Sequence, residues 1–405
     1  MRRADRALAE RLAAVAPPGA GAAEDRAWRV VRAAHVDRGP AAASPGRRVR
    51  LVAALAAAAL LLAVLAFTPA GATVGDWIES VVKPGRDDAR PALTSLPEPG
   101  RLLVQSGSGP WIVQQDGAAR RLGGWREASW SPNGLYVIAA RRHEVAALDP
   151  RGAVRWTRPR AGGLAAPRWS PDGFRVAYRS GAALHVVAGD NSGPDRVVAR
   201  RTAQTAPAWR PGLPPLHQAI AYAAGGRVGV VEVDTGRALG RTPREPRPLA
   251  LWWAMGGRRL VAVAPDALRV HDAHGRLLRT LPMRRGLRAE DSALAYDGTR
   301  IAVVARARRG RLSEVSVYRV AGGPPRLLYA DTGTFTGLAW SPGGQVLALA
   351  WPEADQWLFL RPGRRTSAVA GIARHFGAGA RPAGWCYPEP ATRPTSYSPC
   401  APPAG

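Results

Sequence analysis

The sequence predicts an all-β fold: a seven-bladed β-propeller closed by a C-terminal strand, preceded by a single transmembrane helix and short N-terminal helices. Three observations lead there. An aromatic-plus-turn motif recurs at spacings of about one propeller blade, a single uninterrupted apolar run lies near the N-terminus, and short apolar stretches are punctuated throughout by Gly and Pro. The 405 residues include 45 Gly and 37 Pro, a density that favours strands and turns over long helices. Fourteen Trp recur along most of the chain and argue against disorder.

The repeat is the strongest element. Trp130-Ser131-Pro132-Asn133-Gly134 recurs as Trp169-Ser170-Pro171-Asp172-Gly173 and as Trp340-Ser341-Pro342-Gly343-Gly344. Degenerate copies lie between, at Trp209-Arg210-Pro211-Gly212, Trp253-Ala254-Met255-Gly256-Gly257 and Tyr296-Asp297-Gly298. Phased on positions 130, 169, 209, 253, 296 and 340, the spacings run from 39 to 44 residues, the length that four short strands and their turns require. Each turn leads into an apolar strand such as 175–178, then a second such as 184–187. An Asp-opened turn follows, as in Asp149-Pro150-Arg151-Gly152, where Asp bonds backbone amides and Gly takes a positive φ.

The two ends predict the blade number. Residues 102–105, 111–115 and 119–122 supply three strands of a unit that lacks its leading aromatic strand. Pro382-Ala383-Gly384-Trp385-Cys386, 45 residues after Trp340, supplies that strand and closes a ring of seven. Closure removes exposed strand edges. Six blades is the alternative, with the copy around Trp253 or Tyr296 absorbed by a neighbour.

These motifs resemble the WD40-like repeats of TolB-type propellers over residues 100–390. The resemblance implies a platform for protein or ligand binding in a family whose members differ in function, so fold alone assigns none.

Residues 51–67 (LVAALAAAALLLAVLAF) are apolar without interruption, the lower limit for a bilayer-spanning helix. Arg47, Arg48 and Arg50 flank the start, and Asp76 and Glu79 follow the end, which places the N-terminus inside and the large domain outside. The expected organisation is a cytoplasmic helical segment at 1–48, a transmembrane helix at 49–70, a linker at 71–99, the propeller at 100–390 and a tail at 391–405. Ala70-Gly71-Ala72 also fits signal-peptide cleavage, the rival reading. Residues 5–15 and 24–36 read as short helices. They could form a docking segment like that of membrane-bound anti-sigma factors, but the zinc version needs a His-x-x-x-Cys-x-x-Cys run that is not there.

The formal charge of +27 rests on Arg, with Lys83 the only lysine. Basic loops stand at 241–247, 284–288 and 306–311. They predict either a solvated rim or a rim for an anionic partner: an envelope polymer, lipid head groups, or a protein, with genomic nucleic acid disfavoured by an extracytoplasmic location. Cys386 and Cys400, the only cysteines, suit a disulfide outside the cytoplasm, with two free thiols as the alternative. His271-Asp272-Ala273-His274 is the densest cluster of metal-ligand types, but its register suits a strand end and turn.

No Gly-x-Ser-x-Gly elbow, Walker loop or His-Glu-x-x-His is present. No catalytic, cofactor or metal residues are therefore assigned, and the expectation is a non-enzymatic binding or scaffold module docking a protein or anionic envelope ligand. The alternatives are a transmembrane regulator and an enzyme with its site in the propeller channel.

Overall fold

The structure, a computed structural model, describes residues 95–387 apart from 133, 213–217, 364 and 365. The chain divides into two units, Met1–Val74 and Gly75–Gly405, and all described residues belong to the second. The expected cytoplasmic helices, transmembrane helix and C-terminal tail lie outside the described residues, as does Cys400. Among the described residues no helix is long and apolar enough to cross a membrane.

Seven antiparallel four-stranded sheets make up the described chain, each an independent blade, so no degenerate copy is absorbed by its neighbour. We number the blades from the closing one. Blade 1 consists of Arg381–Cys386, Arg101–Ser106, Gly109–Val113 and Ala119–Arg121. The first strands of blades 2 to 7 are Glu127–Trp130, Leu164–Trp169, Ala208–Trp209, Ala250–Ala254, Leu287–Leu294 and Thr336–Trp340. The strand expected to close the ring does so, with Trp385 opposite Leu102 and both fully buried. Leu96, at the end of the expected linker, is buried against blade 1, and its amide donates to the Gln115 carbonyl at 2.9 Å.

The cores lie between blades. Leu103 and Ile112 of blade 1 pack with Val137, Ala139 and Leu148 of blade 2, and each later junction repeats the arrangement with the next pair of sheets. This explains why second and third strands read as continuous apolar runs: both of their faces are covered. A five-residue helix α1, Ile372–Phe376, joins blade 7 to the closing strand and was not anticipated. Phe376 stacks on Trp357 at 4.8 Å and meets Trp111 edge-on at 5.6 Å.

The serine of the repeated turn has a backbone role. The Ser131, Ser170 and Ser341 hydroxyls each accept the amide five residues on, from Tyr136, Arg175 and Val346, at 2.9–3.0 Å. The same turn in blade 6 is closed by Ala295, whose amide donates to the Arg300 carbonyl as Ser341's does to Val346. That fixes the phase of blade 6. Leu294 pairs with Ile301 as Trp340 pairs with Leu347, so Leu294 and not Tyr296 holds the tryptophan position. Tyr296 sits at the proline position, and its hydroxyl donates to the Trp385 carbonyl on the closing strand.

Candidate functional site: the channel and an arginine-rich face

Three of the repeated tryptophans stitch neighbouring blades. The Trp209 indole N–H donates to the Arg168 carbonyl at 3.1 Å, Trp253 to Ala208 at 3.2 Å, and Trp340 to Ala293 at 3.1 Å. Each acceptor is the residue just before the equivalent position on the preceding blade. Leu294 has no N–H to give, and the junction between blades 5 and 6 uses a different bond: Trp252 donates to the Ser292 hydroxyl at 2.9 Å.

The first strands surround a central channel of about 560 Å³. Two carboxylates line it at equivalent depth, Glu127 three residues before Trp130 and Asp291 three before Leu294. Each accepts a backbone amide at the same depth in the next blade, Glu127 from Ala166 at 2.6 Å and Asp291 from Gly337 at 2.8 Å. Both donors sit in register-shifting bulges at positive φ, 51° for Ala166 and 65° for Gly337. Glycine is needed at 337 for a second reason, because a Cβ there would stand 2.6 Å from the Arg381 Cβ and the Pro382 carbonyl oxygen. Asp291 also accepts its neighbour Ser292's amide at 2.7 Å. Burial pushes the Asp291 carboxyl above its ordinary value, against the two amides and Arg381. Burial also lowers the Arg168 guanidinium, opposed by Glu127.

Phasing blade 6 on Tyr296 displaces Asp291 by two residues and hides its equivalence to Glu127. Leu294, buried and apolar at the end of the strand Leu287–Leu294, was the available signal.

Strand direction sorts the loops into two faces. Connections from second to third strands, and from each outer strand to the next blade, emerge together. The three basic loops singled out from sequence all belong to this face. Its loops carry thirteen arginines against four carboxylates, whereas described residues of the opposite face's loops carry six against seven. Among the described residues, eleven of the thirteen have no ion pair; the exceptions are Arg160 with Asp195 and Arg284 with Glu314. Arg308, Arg309 and Arg311, in one loop of blade 6, are all exposed.

The histidine cluster does not converge. His271 is buried, with Nε2 3.2 Å from Glu245, while Asp272 accepts the His274 and Arg276 amides of its own turn at 2.9 Å. His274 Nδ1 lies 3.3 Å from the Leu239 carbonyl instead. No group of three or more metal-ligand side chains forms among the described residues. Cys386 is buried at the end of the closing strand.

No protein-family model matches the chain. No curated protein sequence matches it either. Among solved structures it resembles a protein of unknown function from Desulfotomaculum acetoxidans, at 11% identity over 71% of this chain and 99% of that one, with a TM-score of 0.53. It also resembles the periplasmic gluconolactonase of Pseudomonas aeruginosa, at 17% identity over 71% and 98% of the chains, with a TM-score of 0.51. The C-terminal WD40 domain of Sif2 matches at 13% identity over 65% and 79%, with a TM-score of 0.49. These likenesses are of fold. They correct the expectation of a non-enzymatic chain, because a ring of this shape also carries an enzyme, the gluconolactonase.

Proposed function

We propose that this chain is a membrane-anchored, extracytoplasmic propeller of the TolB type that docks an anionic polymer of the bacterial cell envelope on its arginine-rich face. The observation that carries the reading is the segregation of charge: thirteen loop arginines against four carboxylates on one face, most of them without an ion pair among the described residues. Arginines left exposed beside a folded scaffold keep their planar donor forks available for phosphate or carboxylate groups. Their spread over loops of several blades suits a polymer that engages many at once. The apolar run at 51–67, with arginines before it and acidic residues after it, supports the anchor and its orientation. Cys386 and Cys400 would pair in that compartment.

The test is binding of the full chain, in detergent, to poly(glycerol phosphate) at two salt concentrations. Affinity should fall steeply between 50 and 300 mM salt, on the order of tenfold or more. Replacing Arg308, Arg309 and Arg311 with Ser should weaken binding about tenfold, whereas Arg237→Ser with Arg258→Ser on the other face should leave it unchanged. Salt-independent binding, or the opposite ranking of the variants, would refute the docking face. Stronger binding to anionic phospholipid vesicles than to the polymer would move the ligand to lipid. Protease accessibility of the propeller in intact spheroplasts tests the location separately.

A further inference from the structure

The channel carries an inference independent of the arginine face. We infer that it is a binding site for a neutral polyhydroxylated molecule, a sugar of one or two rings. Its volume of about 560 Å³ lies in the range of small-ligand sites. Its charged lining is balanced, with Glu127 and Asp291 against Arg168 and Arg381. An anion entering would meet two carboxylates, and a cation two guanidinium groups. A neutral molecule with both donors and acceptors meets neither penalty and can use both kinds of group.

The carboxylates are held in place before any ligand arrives. Glu127 and Asp291 are fixed by the Ala166 and Gly337 amides, three blades apart, the largest separation that a seven-bladed ring allows. A carboxylate oxygen that accepts one amide retains capacity for a ligand hydroxyl. The half-buried Trp130, Trp169 and Trp252 line the side of blades 2 to 5, and Gly337, Leu338, Arg381, Pro382, Ala383 and Gly384 line the side of blades 7 and 1. Apolar indole surface beside charged groups suits a sugar, whose C–H face packs on aromatic rings while its hydroxyls reach the polar groups.

The experiment is calorimetric titration of the full chain at 0.5 M salt, where binding to the arginine face is suppressed. The probes are glucose, galactose, mannose, their N-acetylamino forms, maltose, cellobiose and trehalose, with gluconate and glucosamine as charged analogues. The expected result is saturable binding of at least one neutral sugar in preference to both charged analogues. Asp291→Asn and Trp252→Ala should each weaken it about tenfold or more. Ala206→Leu, which removes no polar group but adds bulk to the channel lining, should weaken it as much, with unfolding curves confirming that each variant is folded. Absence of binding across the neutral panel overturns the inference. So does equal binding of gluconate or glucosamine, or binding that survives Ala206→Leu. Because polymer docking is read at low salt with different variants, either proposal can fail without the other.

Discussion

Trp340 shows what the repeated residue contributes beyond bulk. Its ring is almost wholly buried between blades, and its N–H reaches the Ala293 carbonyl across the junction. Trp340→Phe keeps most of the apolar contact but removes the indole's bond to that carbonyl, which also lies in the ladder opposite Ala302. The expected loss is about 0.5–1.5 kcal/mol of unfolding free energy, read by urea denaturation. An unchanged midpoint would mean that the bond contributes nothing. Ala166 offers the opposite experiment. A non-glycine residue at φ 51° carries backbone strain, which its amide bond to Glu127 holds in place. Ala166→Gly keeps the amide and removes the Cβ clash, so it should stabilise the protein by about 1 kcal/mol. At this scale the sequence was readable only where the motif was intact. Ser131, Ser170 and Ser341 announce the turn because their hydroxyls hold it. Leu294-Ala295 dispenses with both side-chain hydrogen bonds and keeps only the backbone ones, which leave no mark in residue types.

Among elements, the closing strand is the one whose removal should matter most. Arg381–Cys386 lies far along the chain from its partner Arg101–Ser106, yet the two pair from Arg101–Cys386 to Gln105–Arg381. Trp385 is fully buried and packs edge-on against Phe359 of blade 7 at 6.1 Å. Trp385→Ala should therefore cost about 3–5 kcal/mol, because the cavity opens at the ring's only covalent break. Thermal unfolding of the full chain reads this, and a loss below 1 kcal/mol would show that the ring does not depend on closure there. The closing pairing was legible because a strand missing at one end and a surplus one at the other have a single economical solution. Helix α1 was not, since five residues are too few to establish a period. Its position follows from tertiary packing of Phe376 on Trp357 and Trp111.

At the scale of the molecule, charge decides how stability responds to pH. Several carboxyls are held below their ordinary values. Burial pushes Asp195 up, but hydrogen bonds from His185 and Tyr178 and the Arg160 guanidinium outweigh it. Burial likewise raises Asp149, and the Ala153 and Arg151 amides with Arg155 outweigh it in turn. A carboxyl with a depressed folded pKa contributes stability above its unfolded value, and that contribution is lost as pH falls through the folded one. Protonating such groups also uncovers repulsion among the 57 basic residues. The chain should therefore lose stability below about pH 4, and added salt should restore part of it. Asp291 runs the other way. Its folded pKa is raised by burial, so its contribution is complete below the unfolded value and is lost as pH rises through the folded one. Asp291→Asn removes this titration together with part of the amide contacts, and the contact loss does not vary with pH. The variant should then gain on the unsubstituted protein as pH rises from 4 to 7, whatever its offset at pH 4. Parallel stability curves for the two proteins across that window would show that the channel carboxylate stays charged, and that its amide partners outweigh its burial.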